Sequence, residues 1–430
     1  MERFMNAFRH IFILACLSAP VIAGAQDGAS DTLRLRLPQA ESLFVAKSIV
    51  LIAKRFEIEE GKASEIQARL WDNPNLSMDQ GFYNWKTRKY LDITPTGETA
   101  ANLQQLIALA GKRSKRAELE RLKGRITEYE FFDLLRGLKH ELRNDFSDIH
   151  FLQAATDMYD QEIASVRSLI APFREQYRKG NVSLTEISRL QAMLFELEDE
   201  RRDMTGDMRE KRAELNLMLL LPPATTIIPI LDTSALEGYS AGTYTPQQLL
   251  DAAQEGRYDL KIKQVQVDAD LVNLALQKAM RIPDVTLGAA FDRAGSYIDN
   301  YNSITLAFDI PLWNRNQGGI RIAENQVKAS QLLAGQAPRQ LESEVYQSRL
   351  NAQEMDSLYK SWKEPFARDF DSLADGIYRS YAKKAISLLE FVDFFQSYKE
   401  SKNRLYRLQN GRINAFENIN FTTGKDLFKF

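Results

Sequence analysis

Val285-Thr286-Leu287-Gly288-Ala289-Ala290-Phe291-Asp292 and Ser303-Ile304-Thr305-Leu306-Ala307-Phe308-Asp309-Ile310 decide the fold. In the first run Val285, Leu287, Ala289 and Phe291 face one way, and Thr286, Gly288, Ala290 and Asp292 the other. In the second, Ile304, Leu306, Phe308 and Ile310 alternate with Ser303, Thr305, Ala307 and Asp309. A period of two is the signature of a β-strand with two different faces. The Gly/Asn/Asp-rich stretch 295–302 between them predicts a hairpin turn. Each strand has about the length that crosses a bilayer when tilted. Taken alone, the same pattern also fits a soluble hairpin lying on a helical core.

A weaker copy lies in the first half, where Leu76, Met78, Gln80 and Phe82 alternate with Ser77, Asp79, Gly81 and Tyr83. The two hairpins span about 75–109 and 284–310, and their surroundings match in order. Trp71-Asp72-Asn73-Pro74 ends one helical stretch and Arg281-Ile282-Pro283-Asp284 ends another. Tyr177-Arg178-Lys179-Gly180-Asn181-Val182-Ser183-Leu184 is echoed by Tyr381-Ala382-Lys383-Lys384-Ala385-Ile386-Ser387-Leu388. Several ordered matches with a slightly drifting offset indicate a tandem duplication.

Helical spacing surrounds each hairpin. Leu43, Ala46, Val50 and Ala53, then Ile58, Ile66 and Leu70, mark one side of a helix over 38–70. Residues 112–179 and 319–382 hold few glycines and few prolines, Pro172 in the first and Pro338 and Pro365 in the second. About 65 helical residues extend roughly 100 Å, more than one globular domain spans. The return stretches 184–221 and 386–421 are about half as long. A short helix before the hairpin and a return helix after the tip, set end to end, match one long partner.

The whole chain has 430 residues, a formal net charge of −2, 44% hydrophobic and 27% charged residues. That is too apolar for wholesale disorder and too balanced for a dedicated nucleic-acid binder. No run of about 18 apolar residues predicts a membrane-spanning helix. Arg3 and Arg9, the apolar stretch from Ile11 to Leu17, and Ala23-Gly24-Ala25 read as a secretory signal over 1–25. A lipoprotein signal ending before Cys16 is the competing reading, and its apolar stretch is short. Cleavage after Ala25 removes Cys16, the only cysteine. The expected organisation is a signal peptide 1–25, a first repeat 26–221, a linker 222–245, a second repeat 246–421 and a tail 422–430.

Two hairpins give four strands, and four strands cannot close around a lumen. In lipid an open sheet edge leaves unpaired backbone groups. Bacterial barrels begin at eight strands. Two copies of the chain would make a barrel filled by side chains, and three would make twelve strands with a beginning lumen. Polar and small residues facing water, with Leu, Ile and Phe facing lipid, favour three.

Three stretches resemble the TolC family of outer membrane factors, most of all its CusC/CzcC heavy-metal-efflux branch. Phe308-Asp309-Ile310-Pro311-Leu312-Trp313-Asn314-Arg315-Asn316-Gln317-Gly318-Gly319 is similar to the family's strand-to-helix turn. Gly111-Lys112-Arg113 resembles the turn of the first repeat, without its proline, and Tyr177 to Leu184 resembles the helix-hairpin tip. The resemblance covers essentially residues 32–421. It implies an α+β membrane protein: a homotrimer with a 12-stranded β-barrel in the outer membrane, continued by a periplasmic α-helical barrel, with 222–245 and the tail in an equatorial belt. It further implies an exit duct that couples to a periplasmic adaptor and an inner-membrane pump, taken here as the proton-driven RND type, and carries no cofactor. The cargo, metal ion or drug, stays open.

The resemblance assigns roles residue by residue. Gly111, Lys112, Arg113, Pro311, Leu312, Trp313, Gly318 and Gly319 are expected to be architectural, with Gly111 and the Gly318-Gly319 pair relieving the backbone where the period changes. Tyr177, Gly180, Ser183, Leu184, Tyr381, Ser387 and Leu388 are expected at the adaptor-docking tips, with Val182, Leu184, Ile386 and Leu388 offering apolar contact. Any helix hairpin also needs such a turn. Glu390 and Asp393 share a helix face and match the family's acidic gate, with Glu in place of Asp at the first position. Acids there also suit a helix N-terminus electrostatically.

Enzyme chemistry finds no support: the chain has no nucleophile elbow, HExxH, Walker A or dinucleotide fingerprint. His140 and His150 are too far apart to ligate one metal on a helix face and read as solvated. The basic run Lys112, Arg113, Lys115, Arg116, Arg121, Lys123 and Arg125 is interleaved by Glu118 and Glu120 and reads as a solvated face. The rival function is an exported coiled-coil scaffold without a lumen.

Overall fold

The computed structural model describes residues 32–232, 235–294, 298–366 and 370–429; the expected signal segment 1–25 with Cys16, and part of the 295–302 loop, lie outside these. Strand β1 (Thr32–Arg36) leads into α1 (Leu37–Lys47) and α2 (Ile49–Arg69). The sequence predicts one helix here, but Ser48 breaks it. Its backbone leaves the helical region, and its hydroxyl accepts the Leu51 N–H to cap α2. Next come β2 (Asn75–Gln80), a two-residue pair β3 (Tyr83–Asn84) and β4 (Lys89–Tyr90), then β5 (Thr99–Ile107). Helix α3 (Lys112–Arg178) runs 67 residues, about 100 Å. Helix α4 (Leu184–Met218) returns along it, and β6 (Thr226–Ile230) pairs in parallel with β1.

The second repeat enters through α5 (Pro246–Gly256) and α6 (Tyr258–Ala279), then β7 (Val285–Ala294) and β8 (Asp299–Phe308). Helices α7 (Gln317–Phe366) and α8 (Phe370–Ala382) descend, and α9 (Leu388–Thr423) comes back. As the lengths require, α2 and α4 both pack on α3, and α6 and α9 both pack on α7. The repeats meet through α3, which also packs on α6 and α9.

Four strands form one antiparallel sheet in the order β2-β5-β7-β8, so the first hairpin lies beside the second. Four apolar centres hold the helices, the smallest joining α3 and α6 around Leu122 and Val265. One fills the tip end around Phe173, Tyr381 and Phe391. A second surrounds Phe44, Phe146 and Leu215, and a third surrounds Leu249, Phe416 and Phe428. The end of the chain belongs to the third centre. Phe428 stacks on Phe416 at 4.7 Å and meets Tyr239 and Tyr244 edge-on, while Asn420 takes the N–H groups of Leu427 and Phe428.

Candidate functional site

The strand register fixes the two faces of the sheet, because directly opposed residues point the same way. Leu76 lies opposite Leu103, Leu103 opposite Ala289, and Ala289 opposite Ile304. Leu287 lies opposite Leu306, and Val285 opposite Phe308. This face is apolar and open, with Ile304 at 89% exposure. The other face carries Ser77, Asn102, Gln104, Thr286, Ser303 and Thr305. Both outer strands, β2 and β8, have a free edge among the described residues.

The strand-to-helix turns join the repeats. Gly111 caps α3 at φ 67°, a conformation that suits glycine. Lys112 is buried, and its Nζ donates to the Ile282 carbonyl at 2.6 Å and to Asp284 at 2.7 Å. Asp284 also accepts the Leu109 N–H, so one carboxylate ties both turns together. Arg113 lies 3.9 Å over the Trp71 ring. In the second repeat the geometry differs from the expectation for Gly318-Gly319. The left-handed residue is Asn316 at φ 55°, whose amide donates to the Gln277 carbonyl. Gly319 serves close packing, since a Cβ there would fall 2.4 Å from Asn316 Oδ1, whereas Gly318 faces open space. Pro311 follows the last strand residues, and Leu312 and Trp313 stand exposed.

The two helix tips lie side by side, with Lys384 Nζ 3.4 Å from the Asn181 carbonyl. Gly180 turns at φ 76° with nothing near a Cβ, and Ser183 caps α4 through the Glu186 N–H. Leu184 and Tyr177 are exposed. Val182, Tyr381 and Leu388 are not available as contacts. They are buried in the tip core, where Tyr381 stacks on Phe391 at 4.4 Å and on Phe173 at 5.0 Å. Leu389, which spacing alone did not single out, is exposed in their place.

Glu390 and Ser387 form a reciprocal cap. The Ser387 N–H and hydroxyl both donate to Glu390 Oε2 at 2.8 Å, and Ser387 Oγ accepts the Glu390 N–H. The Ser387 amide, helped by the hydroxyl, holds the Glu390 carboxyl below the usual range. Asp393, one turn on, is exposed.

The remaining candidates are structural. His140 and His150 are half-buried and not solvated: His140 stacks on Phe421 at 4.5 Å, and His150 Nδ1 meets the Pro229 carbonyl at 3.1 Å. Burial, with Arg136 and Arg143 adding to it, pushes His140 down to about 4. No cluster of metal-ligating residues occurs among the described residues. In the basic run Arg121 pairs with Glu118 and Lys123 with Glu120.

Residues 249–424, most of the second repeat, match the family model described as outer membrane efflux protein. Over that stretch the chain is similar to this family. Solved members of similar fold include CusC (TM-score 0.72, 16% identity, 90% of this chain and 92% of that one). VceC of Vibrio cholerae follows with TM-score 0.70 and 16% identity, over 90% and 96% of the two chains. The CmeC outer membrane channel of Campylobacter jejuni gives TM-score 0.73 at 11% identity, over 90% and 85%. At these identities the likeness is one of fold. No curated relative matches the chain. The efflux family and the shared fold support an efflux exit duct.

Proposed function

We propose that three copies of this chain close a twelve-stranded barrel in the outer membrane and continue it as a helical duct through the periplasm. One observation carries this reading: a four-stranded sheet with an apolar outer face, a polar opposite face and two free edges. In lipid those edges must be paired, and pairing β8 of each copy with β2 of the next pairs them all. A coiled-coil scaffold without a lumen would have no use for such a sheet. The duct takes its cargo from an inner-membrane pump through a periplasmic adaptor. The detergent-extracted protein is expected to migrate as a heat-sensitive trimer and to conduct ions in planar bilayers. A chain released from the periplasm without detergent, or a stable monomer, refutes the reading.

The gate is assigned to the tip end, where three copies of Asp393 ring the axis and attract cations. Because Glu390 is committed to its helix cap, Asp393→Ala carries most of the expected rise in current and loss of cation preference. Glu390→Ala mainly loosens the cap of α9. Parent-like conductance and selectivity in the double variant would remove the ring from the mechanism.

Adaptor docking falls to the exposed surface around Gly180, Leu184 and Leu389. Gly180→Trp is expected to abolish efflux while trimers remain in the membrane, because the space above Gly180 is open and a bulky side chain there would fill the room that a docking adaptor backbone needs. Normal efflux in that variant argues against docking there.

A further inference from the structure

Where β8 gives way to α7, a cleft of about 530 Å³ is lined by Arg281, Leu312, Trp313, Arg315, Gln317 and Ile320. It lies at the foot of the apolar sheet face, reached from Phe308 through Ile310 to Leu312, all exposed. Trp313 is 86% exposed. An indole with an apolar body and one N–H donor suits the boundary between hydrocarbon and headgroups.

Two guanidinium groups share this cleft without an internal counter-charge. Among the described residues no carboxylate pairs with Arg281 or Arg315. The neighbouring Asp284 is already taken by Lys112 and the Leu109 amide. Asp309 lies past the end of β8 and lines the adjoining cavity, and it forms no ion pair with either arginine. Arg315 is held in place, its Nε donating to the Pro311 carbonyl at 3.2 Å and its backbone N–H to Gln317 Oε1 at 2.8 Å. Gln317 in turn donates to the Trp313 carbonyl at 3.1 Å. The turn is therefore braced around its charged side chain, and that guanidinium keeps further N–H donors unengaged. Arginine forks match the oxygens of a phosphodiester.

We infer that this cleft seats the phosphodiester headgroup of an anionic phospholipid of the periplasmic leaflet, with its acyl chains lying along the apolar sheet face. The inference rests on the outer-membrane barrel proposed above. Three such sites would ring the barrel and fix its depth in the bilayer at the point where strands become helices. The lipid is recognised by one negative phosphate beside an apolar wall, and zwitterionic headgroups lack that net charge.

The test titrates fluorescent phosphatidylglycerol against the full-length protein in mild detergent, with phosphatidylcholine as comparison. The parent is expected to prefer phosphatidylglycerol, and Arg281→Gln with Arg315→Gln to weaken its binding about 30-fold. Arg281→Lys with Arg315→Lys keeps the charge and should retain most of the preference. Equal binding of both lipids by the parent, or unchanged phosphatidylglycerol binding in the glutamine variant, overturns the site. Displacement of the lipid by millimolar inorganic phosphate also overturns it, since a free anion would then suffice. If instead the parent forms no heat-sensitive trimer, it is the barrel that fails; a conducting trimer that ignores phosphatidylglycerol refutes the lipid site alone.

Discussion

Arg143→Met is expected to destabilise the junction of α1, α3, α9 and the tail by about 3–5 kcal/mol, the cost of leaving a buried carboxylate without its partner. The Arg143 guanidinium joins three separate parts of the chain. Its Nε donates to Glu41 of α1, and one terminal nitrogen donates to Glu417 of α9 at 2.9 Å and to Asp426 of the tail at 2.7 Å. Glu41 and Asp426 retain access to water, but the Glu417 side chain is only 3% exposed. Burial already pushes Glu417 up to about 7, against the pull of Arg143 and the Asn420 amide. Without Arg143 its carboxyl must be protonated to stay buried. The penalty therefore grows as pH rises above the unfolded value, by up to about 1.4 kcal/mol per pH unit. Thermal unfolding at pH 6 and pH 8 should show the larger loss at pH 8. Adding Glu417→Gln should restore much of it, because the uncompensated charge is gone. A loss that is equal at both pH values and unrelieved by the second substitution would mean that Arg143 acts by packing alone.

The sheet was legible in the sequence because a period of two has one consequence: Leu287 and Leu306, on different strands, must share a face. The helix lengths were legible because nothing between Lys112 and Arg178 stops a helix except Pro172. Strand β1 was not legible. Thr32–Arg36 is five residues long, and its partner β6 lies beyond two helical hairpin arms and contains Pro229. The tips were legible as turns but not as surfaces. Whether Val182, Leu184, Leu388 or Leu389 points outward depends on how the two hairpins lie against each other, and no spacing within either one encodes that. The same holds for Lys112 with Asp284 and Arg143 with Glu417, whose partners are 172 and 274 residues apart. A charge on a long polar helix reads as solvated until its neighbour is known.

Glu162 is the strongest case of such a hidden charge, and it predicts a pH dependence. It lies on α3 at 5% exposure, and neither carboxyl oxygen has a hydrogen-bond partner. Around it, three helices share one polar network. Asn403 of α9 donates to Tyr159 Oη at 2.6 Å, and Tyr159 of α3 donates to Glu200 of α4 at 2.9 Å. Lys399 of α9 donates to Glu196 and Glu200 at 3.1 and 2.9 Å. Burial pushes the Glu162 carboxyl up to about 8; Glu200 adds to this, while Lys399 and Lys402 oppose it. The packed state therefore holds a proton that the separated helices release. A carboxyl raised in this way favours packing fully below its ordinary value near 4.5, and that support is lost as pH climbs through about 8. The seam between the first repeat's helices and α9 should tighten near pH 5 and loosen towards pH 8. Glu162→Gln keeps the shape, removes the titration, and is expected to abolish this part of the slope. The variant should match the parent near pH 5 and exceed it in thermal stability at pH 8. Amide exchange along α9 should follow the same pattern, with protection in the parent falling as pH rises after correction for intrinsic exchange. If parent and variant lose stability in parallel between pH 5 and pH 8, the proton is held elsewhere and Glu162 is a packing residue. The location gives the result its weight. α9 is the helix that carries Asp393, so a charge forced onto Glu162 acts on the element whose position sets the proposed gate.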